Sequence, residues 1–165
     1  MIVLADSSPL ISLASIGRLE LLRQLFQRIH IADEVREEVV ARGAGRPGAE
    51  AVQRASWVEA HPALPPDELL ALRTRHALGA GEIATVLVAR ALRAQLVIMD
   101  DRTARRLAQS SGLAVMGCVG ILEAAFRRGL APDLREDYRQ LLAHGVWIDP
   151  QLLDESLARC GLQPL

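Results

Sequence analysis

Short strand-like segments alternate with amphipathic stretches along this chain, and the alternation predicts an α/β fold. The strand-like segments lie at about 2–5, 28–31, 57–60, 96–99 and 113–116. Continuous apolar runs such as 2–5 and 96–99 are typical of buried parallel strands, whereas the alternation in 57–60 is typical of an edge or half-buried strand. Between them, helical spacing of apolar residues predicts helices at about 7–16, 18–26, 33–42, 48–54, 67–75, 81–93, 102–110, 118–128, 132–143 and 150–159. Strands that alternate with helices predict a mainly parallel sheet.

Two of the predicted strands end on carboxylates. The first strand is followed by Asp6, and the strand at 96–99 is followed by Asp100 and Asp101. Ligands of an open parallel sheet bind beyond the carboxyl ends of its strands. Clustered carboxylates repel one another unless a cation neutralises them, so this pattern indicates a divalent metal site with oxygen ligands. Adjacent residues at a strand end point to different faces, so we expect one of Asp100 and Asp101 to ligate and the other to support it. Helix capping is the structural alternative for all three residues.

Two glutamates are further candidates for this site. Glu82 lies in the first turn of the most apolar predicted helix, where the helix dipole alone would explain an acid. That helix must run antiparallel to the strand at 96–99, because a two-residue link joins them, so Glu82 can reach the carboxyl end of the strand. Glu38 lies in an acid-rich segment, and its local pattern favours the surface.

Length and composition indicate one domain over residues 1–165, with 132–165 as a C-terminal helical extension. Glycine and proline predict a loop over 43–48 and a turn over 61–66. No apolar run approaches the roughly 20 residues that span a membrane, and the amino terminus has the pattern of a strand rather than a signal peptide. Neither the two cysteines nor the four histidines show metal-ligand spacing. We therefore expect a cytoplasmic protein without a membrane partner.

The charged residues exclude some chemistry. All 19 basic residues are arginine, so a P-loop lysine and a Schiff-base lysine are both excluded. The net charge of −1 argues against broad electrostatic wrapping of nucleic acid. Arginine does suit bidentate phosphate contacts, so RNA remains a candidate partner.

Four stretches, in this order and spacing, resemble the PIN-domain nucleases. They most resemble the PIN-like subgroup described as predicted nucleic-acid-binding proteins, close to the VapC-type toxins. The stretches are Asp6-Ser-Ser-Pro-Leu-Ile, Val35-Arg-Glu-Glu38-Val, Leu78-Gly-Ala-Gly-Glu82-Ile-Ala and Val97-Ile-Met-Asp100-Asp101-Arg-Thr-Ala-Arg105. The resemblance spans about residues 2–122.

The resemblance implies a three-layer α/β/α sandwich around the parallel sheet, and Mg²⁺ or Mn²⁺ as the cofactor. By this likeness Asp6 matches the family's first acid, Glu38 the second and Glu82 the third, which is more often aspartate in the toxins. By the same likeness, Asp100 and Asp101 both lie at the position of the family's fourth acid. Members of the group often pair with an antitoxin and often form homodimers.

The leading hypothesis is a metal-dependent endoribonuclease that is the toxin of a toxin–antitoxin pair. Asp6, Glu82, Asp100 and Asp101 would hold the metal, and Glu38 would help to deprotonate the attacking water. The side chains expected to contact RNA are Ser7, Arg102 and Arg105. The first alternative is a catalytically weak or inactive PIN-like module that binds RNA or a protein partner. A receiver-like phosphoacceptor is a distant third, because such a domain needs a lysine at the rim of the sheet.

Overall fold

A five-stranded parallel sheet forms the centre of the computed structural model, which describes residues 1–46, 48–63 and 65–165. The strand order is β3-β2-β1-β4-β5. The strands are β1 (Val3–Ala5), β2 (Ile29–Ala32), β3 (Val58–His61), β4 (Leu96–Ile98) and β5 (Val115–Met116). The predicted α/β class and parallel sheet are confirmed, and the alternating segment at 57–60 is indeed the edge strand β3.

The helices flank the sheet and connect its strands. Their bounds are α1 (Ser7–Ser15), α2 (Glu20–Phe26), α3 (Asp33–Arg36), α4 (Ala49–Arg54), α5 (Pro66–Arg75), α6 (Ala80–Ala91), α7 (Arg102–Ser110), α8 (Cys118–Arg127), α9 (Leu134–Ala143) and α10 (Pro150–Arg159). Two predicted connections each include one residue outside the described ranges, Pro47 in the loop at 43–48 and Leu64 in the turn at 61–66.

Both faces of the sheet are covered. Val3, Leu4 and Ala5 follow one another along β1 and point alternately to its two faces, and all three are fully buried. One group of helices packs around α6, which contacts α3, α5 and α7, and another packs around α8, which contacts α1, α2, α9 and α10. This arrangement is the layered sandwich that the resemblance implied.

The segment predicted as one helix over 33–42 changes its winding. After α3 the chain continues as a π-helical turn, Glu37–Ala41, in which the Arg42 N–H donates to the Glu37 carbonyl oxygen at 2.9 Å. A π turn has more residues per turn than an α-helix, so α-helical periodicity misplaces its side chains. This turn carries Glu38.

The carboxyl ends of β1 and β4 lie side by side. Val3 pairs with Leu96 and Ala5 with Ile98, so both strands end at the same level. The Asp6 N–H continues the ladder by donating to the Ile98 carbonyl oxygen at 2.9 Å. Asp6 and the Asp100-Asp101 pair therefore meet at one edge of the sheet.

The C-terminal helices dock on α8 through a buried polar network. Tyr138 of α9 is fully buried, and its hydroxyl group lies 2.7 Å from the Ser156 hydroxyl oxygen of α10. Ser156 in turn donates to Glu123 of α8 at 2.7 Å. The Arg18 side chain pairs with the buried Asp137 carboxylate of α9 at 2.8 Å. In the described part of the chain, no helix has the length and apolar character needed to cross a membrane.

Candidate active site

Asp6 lies at the centre of the acidic cluster and is almost completely buried, with 2% of its surface exposed. It precedes α1 but makes no side-chain capping bond to that helix. The Thr85 hydroxyl lies 3.4 Å from Asp6 Oδ1 but only 2.8 Å from the Gly81 carbonyl oxygen, so it gives Asp6 a weak hydrogen bond. Burial raises the pKa of Asp6 to about 7, and the charges of Glu82 and Glu38 add to the shift.

Glu38 reaches the same site from the π-helical turn. Its carboxylate is half-buried and accepts a 2.5 Å hydrogen bond from the Ser7 hydroxyl of α1. A Cβ atom on Gly81 of α6 would lie 2.7 and 2.8 Å from the two Glu38 oxygens. The carboxylate therefore lies directly against the glycine backbone at the start of α6, and a larger residue at position 81 would displace it.

Glu82 begins α6 beside this contact. Its Oε2 accepts a hydrogen bond from the Gly79 N–H at 2.8 Å, so it caps its own helix. The side chain is half-buried, and burial raises its pKa, with further contributions from the charges of Asp101 and Glu38. The antiparallel geometry expected from the short α6–β4 link thus places Glu82 near the strand ends.

Asp100 and Asp101 have different partners. Asp101 caps α7 by accepting the Ala104 N–H at 2.7 Å, and its charge acts on Glu82. Asp100 accepts the Cys118 N–H at 2.8 Å at the start of α8. Burial raises the pKa of the Cys118 thiol well above its usual value, and the Asp100 charge adds to that shift. The Asp101 side chain therefore lies toward the cluster, and the Asp100 side chain lies toward β5 and α8.

The donor set suits a divalent cation of the hard, oxygen-binding type. Within the described ranges, none of the five carboxylates forms a salt bridge. Burial is the largest cause of the raised pKa values of Asp6 and Glu82, and the charges of neighbouring acids add to both shifts, with no cation among the described residues acting against them. Four of the acids also hold a local hydrogen bond, and no three described carboxylates place ligand atoms within 4.8 Å of one another. Side-chain rotation is therefore needed to close the cluster around an ion.

A groove of about 930 Å³ opens beside the cluster. Its lining includes both acidic and basic side chains and one indole ring, namely Glu82, Asp100, Asp101, Arg102, Arg105 and Trp147. Arg102 is exposed, whereas the half-buried Arg105 donates from Nη1 to the Met99 carbonyl oxygen at 3.0 Å. Ser7 is buried and its hydroxyl group is used by Glu38, so its direct contact is with the carboxylate.

Trp147 is a groove residue that the sequence pattern did not single out. Its side chain is 81% exposed and lies between α9 and α10. Apolar periodicity identifies buried residues, so an exposed tryptophan in a connection gives no signal of that kind. The one signal in the sequence is rarity, because only 3% of the residues are aromatic and two of them are tryptophan.

A second group of potential ligands lies away from the carboxylates. The sequence shows no metal-ligand spacing among the histidines, but the sheet brings His30 of β2 beside Glu59 and His61 of β3. Their separation of about thirty positions is bridged only by strand pairing, so local spacing could not reveal it. The sole sequence signal is Glu59-x-His61, which places two polar side chains on one face of an edge strand.

The carboxyl edge of this parallel sheet gathers acids from four separate elements, a donor set that suits a divalent metal ion. A family model described as a PIN domain matches residues 2–162, nearly the whole chain, and the protein therefore belongs to the PIN-domain family. PIN domains have a nuclease-type fold, are generally metal-dependent and act on nucleic acid. No curated protein matches the chain.

Proposed function

We propose that this PIN domain is an endoribonuclease that requires Mg²⁺ or Mn²⁺. The observation that carries the proposal is the state of Asp6, which is buried among Glu38 and Glu82 with a pKa near 7 and has no cationic partner in the described part of the chain. Burying an uncompensated carboxylate is costly, and a divalent ion at this position would remove the cost. Asp6, Glu82 and Asp101 are the proposed metal ligands.

Asp100 and Ser7 are proposed as positioning residues. Asp100 fixes the start of α8 through the Cys118 N–H and so holds the β4 end against the neighbouring helix. Ser7 directs the Glu38 carboxylate toward the start of α6 through its hydroxyl group. This proposal separates the two adjacent aspartates, with Asp101 directed to the metal and Asp100 supporting it.

The protein groups divide the chemical work. A bound divalent ion would activate the attacking water and stabilise the leaving oxygen. Glu38, held by Ser7, would accept the proton of that water. Arg102 is exposed on the groove and would contact a phosphate, with Arg105 supporting it from its bond to Met99. Loss of the Asp6 proton would accompany metal binding at neutral pH.

Single-stranded RNA is the substrate class that the groove suits best. Trp147 offers an exposed indole face in the same groove as Arg102 and the acidic cluster. Aromatic side chains stack on unpaired bases, whereas a duplex hides those faces. The net charge of −1 also favours a local contact over broad electrostatic binding.

We further propose that the enzyme is the toxin of a toxin–antitoxin pair and acts in the cytoplasm, paired with an antitoxin and forming a homodimer. Support for this step is the resemblance to the VapC-type toxins. Induced synthesis of the toxin should arrest growth, whereas the Asp6→Asn variant should leave growth unchanged. Equal growth arrest by both proteins would contradict the proposed toxic mechanism.

Asp6→Asn tests the nuclease proposal. Removing one negative oxygen from the centre of the cluster should reduce cleavage of an unstructured RNA to the level seen in EDTA, while the circular dichroism spectrum stays unchanged. Asp67→Asn, at an exposed position of α5, is the matched control and should cleave as the wild type does. Cleavage at the wild-type rate by a folded Asp6→Asn protein would refute the proposal.

A binding module is the second candidate function. It is favoured by the hydrogen bonds that already hold Glu38, Glu82, Asp100 and Asp101, since these keep the carboxylate oxygens apart. Such a module would bind RNA equally in EDTA and in Mn²⁺, and gel analysis would show no shortened products. Metal-stimulated products would exclude it.

A further inference from the structure

A second potential metal site lies at the edge of the sheet. β2 and β3 pair in parallel with His30 opposite Glu59, and His61 follows Glu59 by two residues on the same face of β3. His30 Nδ1 and His61 Nε2 share a hydrogen bond of 2.8 Å, whose proton a metal ion would displace, and His61 Nε2 lies 3.7 Å from Glu59 Oε1. One ligand atom from each of the three residues lies within 4.8 Å of the ligand atoms of the other two.

The three ligand atoms form a different donor set from that of the acidic cluster. Two imidazole nitrogens and one carboxylate oxygen are the ligands of many three-residue zinc sites, which keep a fourth position for water. Imidazole ligands favour zinc and related transition metals, whereas sites built only of oxygen favour Mg²⁺ or Mn²⁺. The two groups of residues should therefore select different ions.

The surroundings orient these ligands. Arg28 Nη1 donates to Glu59 Oε2 at 2.8 Å, which leaves Oε1 on the side of His61. Charged groups that hold the second oxygen of a ligating carboxylate in this way fix its orientation. The two histidines are half-buried and Glu59 is exposed, so the site is supported by the sheet and open to solvent at its edge.

We propose that His30, Glu59 and His61 bind one Zn²⁺ ion that links the edge strand β3 to β2. The proposal does not depend on nuclease activity, because the site shares no residue with the acidic cluster. Its residues lie on β2 and β3, whereas Asp6 and the Asp100-Asp101 pair follow β1 and β4. A metal ion bound by both strands would tie the edge strand β3 more firmly to β2, its one neighbour in the sheet.

Zinc titration of the full chain in excess Mg²⁺, with a chromophoric chelator as competitor, tests the proposal. We expect one Zn²⁺ per chain for the wild type and for Asp6→Asn. His61→Gln and His30→Gln should each weaken zinc binding by about 100-fold or more, because they remove a ligand rather than a supporting group. His144→Gln, at an exposed histidine of the C-terminal region, is the matched control and should bind as the wild type does.

A further variant and a spectroscopic measurement cover the case in which a histidine variant does not fold. Glu59→Gln changes an exposed side chain and should also weaken zinc binding. X-ray absorption at the zinc edge should show two imidazole ligands. The proposal is overturned if the wild type binds no zinc, if the ligand variants bind it as tightly as the wild type, if only Asp6→Asn loses it, or if the spectrum shows fewer than two imidazoles.

Discussion

Asp6 is the residue on which the proposed chemistry of the site depends. Its carboxyl group is buried and faces two other acids, and the hydrogen bonds from the Ser7 backbone N–H and the Thr85 hydroxyl only partly offset the effect of burial on its pKa. These surroundings favour the protonated form, and so its pKa rises from 3.8 to about 7. Above that pH, the protein alone must keep a buried negative charge, which a divalent cation would compensate.

The pH dependence of stability follows from this shift. The folded protein holds the Asp6 proton more tightly than the unfolded chain does, so the free energy of unfolding should fall as pH rises from about 4 to about 7. Asparagine carries no charge, so Asp6→Asn should raise the free energy of unfolding at pH 8 by a few kcal/mol (~1–4) in EDTA. Some pH dependence should remain, because the pKa of Glu82 is also raised.

Denaturant unfolding in EDTA at pH 5 and pH 8 measures this effect. The free energies of unfolding of the wild type and Asp6→Asn should differ little at pH 5 and clearly at pH 8. Replacing EDTA with Mg²⁺ should reduce the difference in the free energy of unfolding at pH 8, because the ion stabilises the wild type. An identical pH dependence for the two proteins would contradict the proposed electrostatic role of Asp6.

At the scale of elements, the site is assembled where the π-helical turn meets the start of α6. The turn brings Glu38 against Gly81, and α1 supplies the Ser7 hydroxyl that holds it. Neither contact involves neighbours in sequence. The close approach requires a residue without a side chain at position 81, which explains why glycine stands inside the first turn of the most buried helix.

Gly81→Ala tests this contact. The new Cβ atom would displace the Glu38 carboxylate, and a misplacement of this size should lower the rate of RNA cleavage about 10–100-fold. Alanine favours the helix by up to about 1 kcal/mol, so stability should be equal or higher. Gly79→Ala is the matched control, because its Cβ would lie 3.6 Å from Glu82, an ordinary contact. Equal cleavage rates for the two variants would contradict the proposed role of Glu38.

The sequence predicted the elements better than it predicted their contacts. Apolar runs and helical spacing placed β1, β4 and α6 within a residue or two, because these elements are buried and their pattern is strong. The local sequence pattern favoured a surface position for Glu38, because that pattern assumes α-helical periodicity and the π turn breaks it. Local spacing gave no sign that His30 meets His61, because strand pairing alone brings them together.

At the scale of the whole molecule, the C-terminal helices complete the core. Leu141, Leu153 and Leu157 are buried together with Tyr138, although this region follows the stretch that carries the acidic residues. The sequence predicted the helices but not where they dock, since docking depends on the buried Tyr138–Ser156–Glu123 network. We propose that residues 132–165 belong to the same folding unit as the sheet.

Truncation after Ala131 tests that proposal. Each large side chain removed from the core contributes about 1.5–3 kcal/mol, and the total stability of a domain is only about 5–15 kcal/mol. The shortened chain should therefore lose its cooperative unfolding transition. Removal of residues 163–165 is the control and should retain it. A cooperative transition in the longer deletion would show that the helices form a separate unit.

The central claim is that the acids at the carboxyl ends of β1 and β4 form a divalent metal site. Anomalous diffraction from a crystal of the wild-type protein soaked in Mn²⁺ tests it most directly. We predict an anomalous peak within coordination distance of Asp6, Glu82 and Asp101, with Glu38 beside it and Asp100 still bonded to the Cys118 N–H. A well-ordered soaked crystal with no manganese at these carboxylates would contradict the claim.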